Sequence, residues 1–383
     1  MTTSQSTESA APIGMLDLAA ERASLGQQLN DRVQAVLNSG QYVLGPEVQG
    51  FEEEFAAFQR STHAVGVASG TDALIVALRA AGVGPGDLVA TSPFTFFASA
   101  ASIAWVGARP ILVDVDRETA LMTPEATREA IDCWGGRVKA ILPVHLYGQL
   151  VDMRGFRALA DELGCALIED AAQAHGAERD GVRAGEIGDL ACFSFYPTKN
   201  LGAAGEGGAV LTPSAEWDQR LRRLRDHGSP VKYQHTELGT NTRLAALQAA
   251  VLRVKLPHLE EWNRLRRERA QRYDQAFAGS ARIKPLKVAS GSQPVYHQYT
   301  VCLPPPLDRS RVASDLAEAG VSSAVHYPTP VHLQPAAAPW GYSPGDLPAA
   351  EALAKQVLCL PIHPFLALED VDRVAEALLR ATD

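Results

Sequence analysis

Cys192-Phe193-Ser194-Phe195-Tyr196-Pro197-Thr198-Lys199-Asn200-Leu201-Gly202, running on through Ala203-Ala204-Gly205-Glu206-Gly207-Gly208, organises the reading of the whole chain. An apolar, β-prone run passes a serine, turns at Pro197, presents one lysine and enters a glycine-rich loop. Burying an ammonium is costly unless its charge is neutralised or used. A lysine at the end of such a strand therefore has two readings. It snorkels to solvent, as most lysines do, or it is held in a pocket as a Schiff-base lysine. Flanking glycines let the backbone approach something bulky. Together with Ser194 and an acidic stretch upstream, they favour the second reading.

Outward from this stretch, the pattern is strand, turn, helix, repeated. Ala64 to Ala68 is a short apolar run, Ser69-Gly70-Thr71 a turn, and Asp72 to Ala81 an Ala/Leu-rich helix. Leu88 to Thr91 and then Thr95 to Val106 repeat the unit. Pro110 to Val115, Ala140 to Val144 and Ala166-Leu167-Ile168 read as further buried strands, with a helix over Met153 to Leu163. This alternation predicts an α/β sandwich with a mostly parallel sheet. Ahead of it, Leu16 to Leu37 has mixed helical spacing, and Val48 to Phe58 places Phe51, Phe55 and Phe58 on one helical face. From Leu244 to Ala276 the pattern is helical and charged, and Pro257 bends or divides it. The remainder predicts a smaller α+β unit: strand Tyr296 to Leu303, helix Arg311 to Ala319, strand Ala324 to Tyr327, strand Val357 to Ile362 and a last helix from Leu368 to Leu379. The expected division is a flexible tail over 1–12, a large domain over 13–255 and a small C-terminal domain over 256–383.

The chain has 383 residues, 46% hydrophobic and 21% charged, within the range of a soluble globular enzyme. A formal net charge of -9 argues against a nucleic-acid or membrane-surface partner. No apolar run approaches the roughly 20 residues that span a bilayer. Met1 to Pro12 has neither a basic start nor an apolar core, so it does not read as a signal peptide. Five scattered cysteines without a CxxC pair suggest reduced thiols in the cytoplasm, with no metal site.

Ligands of parallel sheets collect beyond the carboxyl ends of the strands, and three of these ends carry complementary polar groups. Ser69-Gly70-Thr71 opens a helix, leaving N–H groups and a hydroxyl free for a phosphate; its alternative is a plain N-cap. Asp170 ends the run Leu167-Ile168-Glu169-Asp170, with Gln173 beyond it; alone, such an acid is commonly a turn residue. Ser194 and Lys199 complete the set. A phosphate cradle, an acid to keep a pyridinium charged and a lysine to form an imine are together what pyridoxal phosphate requires. In Pro93-Phe94-Thr95-Phe96-Phe97, Phe96 is the ring chosen to stack on the pyridine, and Phe94 and Phe97 read as core.

At this point a resemblance becomes specific. Ser69-Gly70-Thr71-Asp72-Ala73-Leu74, Glu169-Asp170-Ala171-Ala172-Gln173-Ala174-His175-Gly176 and Ser194 through Gly202 resemble signature blocks of the nucleotide-sugar aminotransferases, the DegT/DnrJ/EryC1/StrS group. Gly239-Thr240-Asn241-Thr242-Arg243-Leu244 and Tyr327-Pro328-Thr329-Pro330-Val331-His332 resemble two more, so the similarity runs in order from about Leu16 to the C-terminus. Thr242 stands where the family often has Ser, and Glu206 where it often has Asp.

The resemblance implies a fold-type I pyridoxal 5'-phosphate (PLP)-dependent aminotransferase that forms a homodimer with shared active sites. Carried over by position, Lys199 is the Schiff-base lysine and Asp170 the partner of the pyridine nitrogen. Gln173 sits near the phenolic oxygen, and Ser194, Gly70 and Thr71 hold the phosphate. Asn241 reaches that phosphate from the neighbouring subunit. The implied reaction moves an amino group from L-glutamate to a keto sugar nucleotide. Gly228 to His235 and Arg253 to Pro257 look most like the branch acting at C3 of 3-keto sugars; amination at C4 is the alternative. Lys232, Tyr233, His235 and Arg243 are the substrate-contact candidates, with a solvated polar loop as the competing reading. His326, Tyr327 and His332 could line the sugar site or serve as turn and packing residues. A catalytically silent PLP- or sugar-nucleotide-binding protein is the reading from another class, and the Lys199–Asp170 pair argues against it. A nicotinamide-binding protein lacks its G-x-G-x-x-G opening.

Overall fold

A computed structural model describes residues 11–135 and 137–383; of the expected tail, residues 1–10 lie outside the described residues. The chain builds a seven-stranded sheet in the order His63–Val67, Gly208–Thr212, Leu190–Ser194, Ala166–Asp170, Val138–Leu142, Leu88–Thr91, Arg109–Leu112. Gly208–Thr212 runs antiparallel to both neighbours and the other pairings in this sheet are parallel. Side chains alternate between the two faces with the period of two that a strand imposes. Leu190, Cys192 and Val210 enter one apolar cluster, whereas Ala191, Phe193, Ala209 and Leu211 enter the cluster on the opposite face. Burial on both faces explains why these strands read as continuous apolar runs.

The helix Gly70–Ala80 starts where Ser69 Oγ accepts the Asp72 N–H, and its Ala73, Leu74, Ala77 and Leu78 are buried. That cap fixes the turn leaving His63–Val67 at the carboxyl edge of the sheet. Helix Leu18–Ser39 is kinked at Gly26, whose φ is 56°. Pro257 divides the long helical stretch into Ala246–Lys255, a short 3-10 turn over Leu256–His258, and Leu259–Phe277.

A second sheet is antiparallel throughout, ordered Lys284–Pro285, Tyr299–Cys302, Val357–Leu360. It is covered by Arg309–Glu318 and Leu368–Thr382, and Tyr273 and Phe277 of the long helix join the same core. Ile13 forms a bridge with Val321 and is buried in that core too. The strand expected over Ala324 to Tyr327 reduces to a single bridge between Ala324 and Cys359. Its backbone instead turns away, and His326 and Tyr327 reach the edge of the large sheet. Among the described residues no helix is long and apolar enough to cross a membrane.

Candidate active site

The carboxyl edge of the large sheet opens into a cavity of about 560 Å³. Its walls come from the strand ends singled out by sequence and from segments that flank the small sheet. Gly70 and Thr71 follow one strand, Asp170 and Ser194 end two others, and Lys199 stands on the turn after Ser194. Phe96, Gln173, His326 and Tyr327 line the same cavity. A hollow of about 600 Å³ beside Leu44, Glu52 and Arg222 contains none of these residues.

A buried carboxylate and a half-buried amine face the same cavity here. Burial pushes the Lys199 amine down from 10.5 to about 8, and the charge of Asp170 opposes that fall. Burial pushes the Asp170 carboxyl up, while bonds from Ser99 and the Ala172 N–H and the charge of Lys199 hold it back. Ser99 Oγ donates to Asp170 Oδ2 at 2.6 Å, and the Ala172 N–H reaches Oδ1 at 3.2 Å. Ser99 is itself paired with Thr95 Oγ1 at 2.9 Å. Behind Asp170, His145 Nε2 and Glu169 Oε2 meet at 2.8 Å with both side chains buried. Glu169 also accepts the Gly185 and Gly188 N–H groups, so its buried charge is well compensated.

Lys199 Nζ has no hydrogen-bond or ion-pair partner among the described residues. A half-buried, unpartnered amine open to a cavity fits a side chain used covalently. The glycine cradle fits an anion. A Cβ built on Gly70 would stand 2.5 Å from Ser194 Cβ and 2.9 Å from Ser194 Oγ. The backbone amides at the helix start therefore lie close to the Ser194 hydroxyl, as phosphate capture at a helix N-terminus requires. Gln173 is fixed from two sides: its Oε1 accepts the Tyr147 N–H at 2.6 Å and its Nε2 donates to Tyr327 Oη at 3.3 Å. The Phe96 ring is 59% exposed and lies 6.1 Å from that of Tyr327, so one face is free to cover a flat ligand. These residues fit pyridoxal phosphate.

The other sequence candidates do not line this cavity. His332 is turned into the protein, where its Nε2 meets Glu351 Oε1 at 3.0 Å. Lys232 stacks over the Tyr233 ring at 5.1 Å, on a loop where Tyr233 is 83% exposed. His235 Nδ1 contacts His227 O, and Arg243 Nη1 pairs with Asp226. Asn241 is exposed, bridged through its backbone to Asp226. Sequence reasoning passed over Ser99, His297 and Gln298, all of which line the cavity. Ser99 looks like any small helix residue, and nothing local marks His297. Among the described residues no cluster of His, Cys, Asp or Glu could hold a metal ion.

A half-buried lysine open to the cavity, an opposed carboxylate and a glycine-backed anion cradle define an enzyme of the lysine-dependent aldehyde-cofactor class. The chain belongs to the DegT/DnrJ/EryC1/StrS aminotransferase family, whose model matches residues 23–379. It is 45% identical to a dTDP-3-amino-3,4,6-trideoxy-alpha-D-glucose transaminase of Streptomyces venezuelae, over 96% of this chain and 95% of that one. A protein of Geobacillus stearothermophilus named a pleiotropic regulatory protein is 43% identical, over 96% of this chain and 97% of its own length. Among solved structures, the S. venezuelae DesV complex with a ketimine intermediate superposes with a TM-score of 0.94 at 44% identity, covering 98% of this chain and 99% of that one. The fold is accordingly the fold-type I α/β architecture expected from sequence, and the family is one of PLP-dependent aminotransferases.

Proposed function

We propose that the protein transfers an amino group from L-glutamate to C3 of a nucleoside-diphosphate 3-keto-hexose, for amino-sugar biosynthesis. The observation that carries the reading is Lys199 and Asp170 sharing one cavity beneath the glycine cradle. The 45% identical relative is named for an amino group at position 3. A regulatory role alone gives no reason to keep an unpaired, half-buried lysine beside a buried carboxylate, at the desolvation cost that falls on both.

Bound here, PLP supplies an aldehyde for amines to condense with and a ring that withdraws electrons from the adjacent carbon. In this reading, Asp170 holds the proton of the ring nitrogen, with Ser99 and the Ala172 N–H fixing its carboxylate. Gly70, Thr71 and Ser194 hold the phosphate, Gln173 stands at the phenolic oxygen and Phe96 covers the ring. Lys199 Nζ, near 8, is close enough to neutral to exchange a proton with the substrate carbon. Phe96 and Tyr327 narrow the mouth and help exclude water.

The same reading places the protein in the cytoplasm as a homodimer of a large domain (13–255) and a small one (256–383). The exposed Asn241 then reaches the phosphate of the neighbouring subunit, and Lys232, Tyr233, His235 and Arg243 serve the neighbour's substrate. Five free cysteines are in keeping with a reducing compartment. The test is glutamate-dependent amination of a panel of 3-keto and 4-keto sugar nucleotides, with NMR locating the new nitrogen. Nitrogen at C3 supports the proposal; exclusive amination at C4 replaces it with the alternative; no turnover on any substrate overturns it.

A further inference from the structure

His297 lies at a wall of the active-site cavity, 8% exposed, carried by the segment that leads into the small sheet. Its surroundings determine which ring nitrogen carries the proton. Two carbonyl oxygens that can only accept fix two amides. Asn263 Nδ2 donates to His175 O at 2.8 Å, so Asn263 Oδ1 is the atom facing Asn200. Asn200 Nδ2 donates to that oxygen at 3.0 Å and to Val295 O at 2.9 Å. Asn200 Oδ1 is thereby left as an acceptor, and His297 Nδ1 meets it at 3.3 Å. Nδ1 must therefore carry the hydrogen. Nε2 is left with a lone pair and has no partner among the described residues. Burial, and then the nearby Lys199 charge, hold the imidazole well below its usual range, so the ring stays neutral.

Next in the chain, Gln298 lines the same cavity with a buried Oε1 that also lacks a donor. An unpaired buried acceptor costs free energy until a ligand supplies a donor. His297 Nε2 and Gln298 Oε1 are both acceptors without a donor, and each suits a substrate that brings hydroxyl groups.

We propose that His297, through an unprotonated Nε2 held open by the Asn263–Asn200 amide relay, accepts a hydrogen bond from a hydroxyl of the sugar substrate. This rests on the aminotransferase reading above and adds a substrate-contacting residue on the small-sheet side of the cavity. Glutamate carries no hydroxyl, so the contact belongs to the acceptor half of the reaction.

The test has two arms. Histidine ¹⁵N NMR on the wild-type protein, with and without cofactor, and with H297Q identifying the resonance, reads the tautomer directly. The expected result is Nδ1–H with a bare Nε2 at neutral pH; an Nε2–H tautomer or an imidazolium overturns the proposal. In the second arm, H297Q should raise the KM for the keto-sugar nucleotide by about tenfold, the loss of one hydrogen bond. The rate at which glutamate converts the cofactor should change little. Equal damage to both halves, or unchanged sugar KM, refutes the contact. A glutamate half-reaction absent from the wild type would instead refute the aminotransferase reading, so the two failures are distinguishable.

Discussion

Asp170→Asn should make Lys199 more reactive as an amine while disabling transamination. Burial brings the lysine from 10.5 to about 8, and Asp170 opposes the fall. At neutral pH, a value of about 8 leaves about a tenth of the amine neutral, roughly 300-fold more than an ordinary lysine would have. The fall itself is worth about 3 kcal/mol against the charged form. Removing the carboxylate takes away the charge that holds the value up, so it should drop below 8. A further fall of about one unit would raise the neutral fraction at neutral pH to about a half. The assay is stopped-flow absorbance of PLP capture by apo-protein across a pH series, read as the midpoint of the rate profile. The wild-type midpoint should sit near 8 and that of D170N at lower pH. The sign carries over to stability. A lysine whose folded value lies below its unfolded one penalises folding below pH 8, and the penalty disappears as pH rises from about 8 to 10.5. Apo Lys199→Met should therefore gain stability at neutral pH, by up to about 3 kcal/mol. A wild-type midpoint near 10.5, or a D170N profile moved to higher pH, would refute the reasoning.

Other substitutions probe the supports of the site. Ser99→Ala removes the 2.6 Å bond that lowers the Asp170 carboxyl, so the acid limb of the transamination profile should move to higher pH; an unmoved limb would show that Ser99 is only packing. Gly70→Ala drives a Cβ to 2.5 Å from Ser194 Cβ and should weaken PLP binding by about tenfold or more, an overpacking cost measured by absorbance titration. Glu52→Ala strips the buried Arg225 of its 2.5 Å partner and the Gly66 N–H of its acceptor; urea unfolding should record a loss of about 3–5 kcal/mol, and a loss below about 1 kcal/mol would mean that the network is dispensable.

The sheet was legible because both of its faces are buried, which makes its strands continuous apolar runs broken by Gly and Ser turns. Lys199 and Asp170 were legible for a related reason: each is a charged residue abutting such a run. Groups that meet only in three dimensions were not. Ser99 and Asp170 are 71 residues apart, and Asn200 and His297 are 97 apart, so no local pattern announces either contact. Ala324 to Tyr327 looked like a strand from its composition, yet only Ala324 finds a backbone partner. His332 shared a Pro-rich block with Tyr327, but the 3-10 turn Val331–Leu333 rotates it inward onto Glu351. Proximity in sequence did not give proximity to the cavity.

Borohydride reduction of the purified, PLP-loaded protein followed by peptide mass mapping tests the account most directly. A pyridoxyl group confined to the peptide bearing Lys199, and absent from Lys199→Met, is the predicted result. Label on another lysine, or none at all, would contradict the chemistry assigned to this cavity.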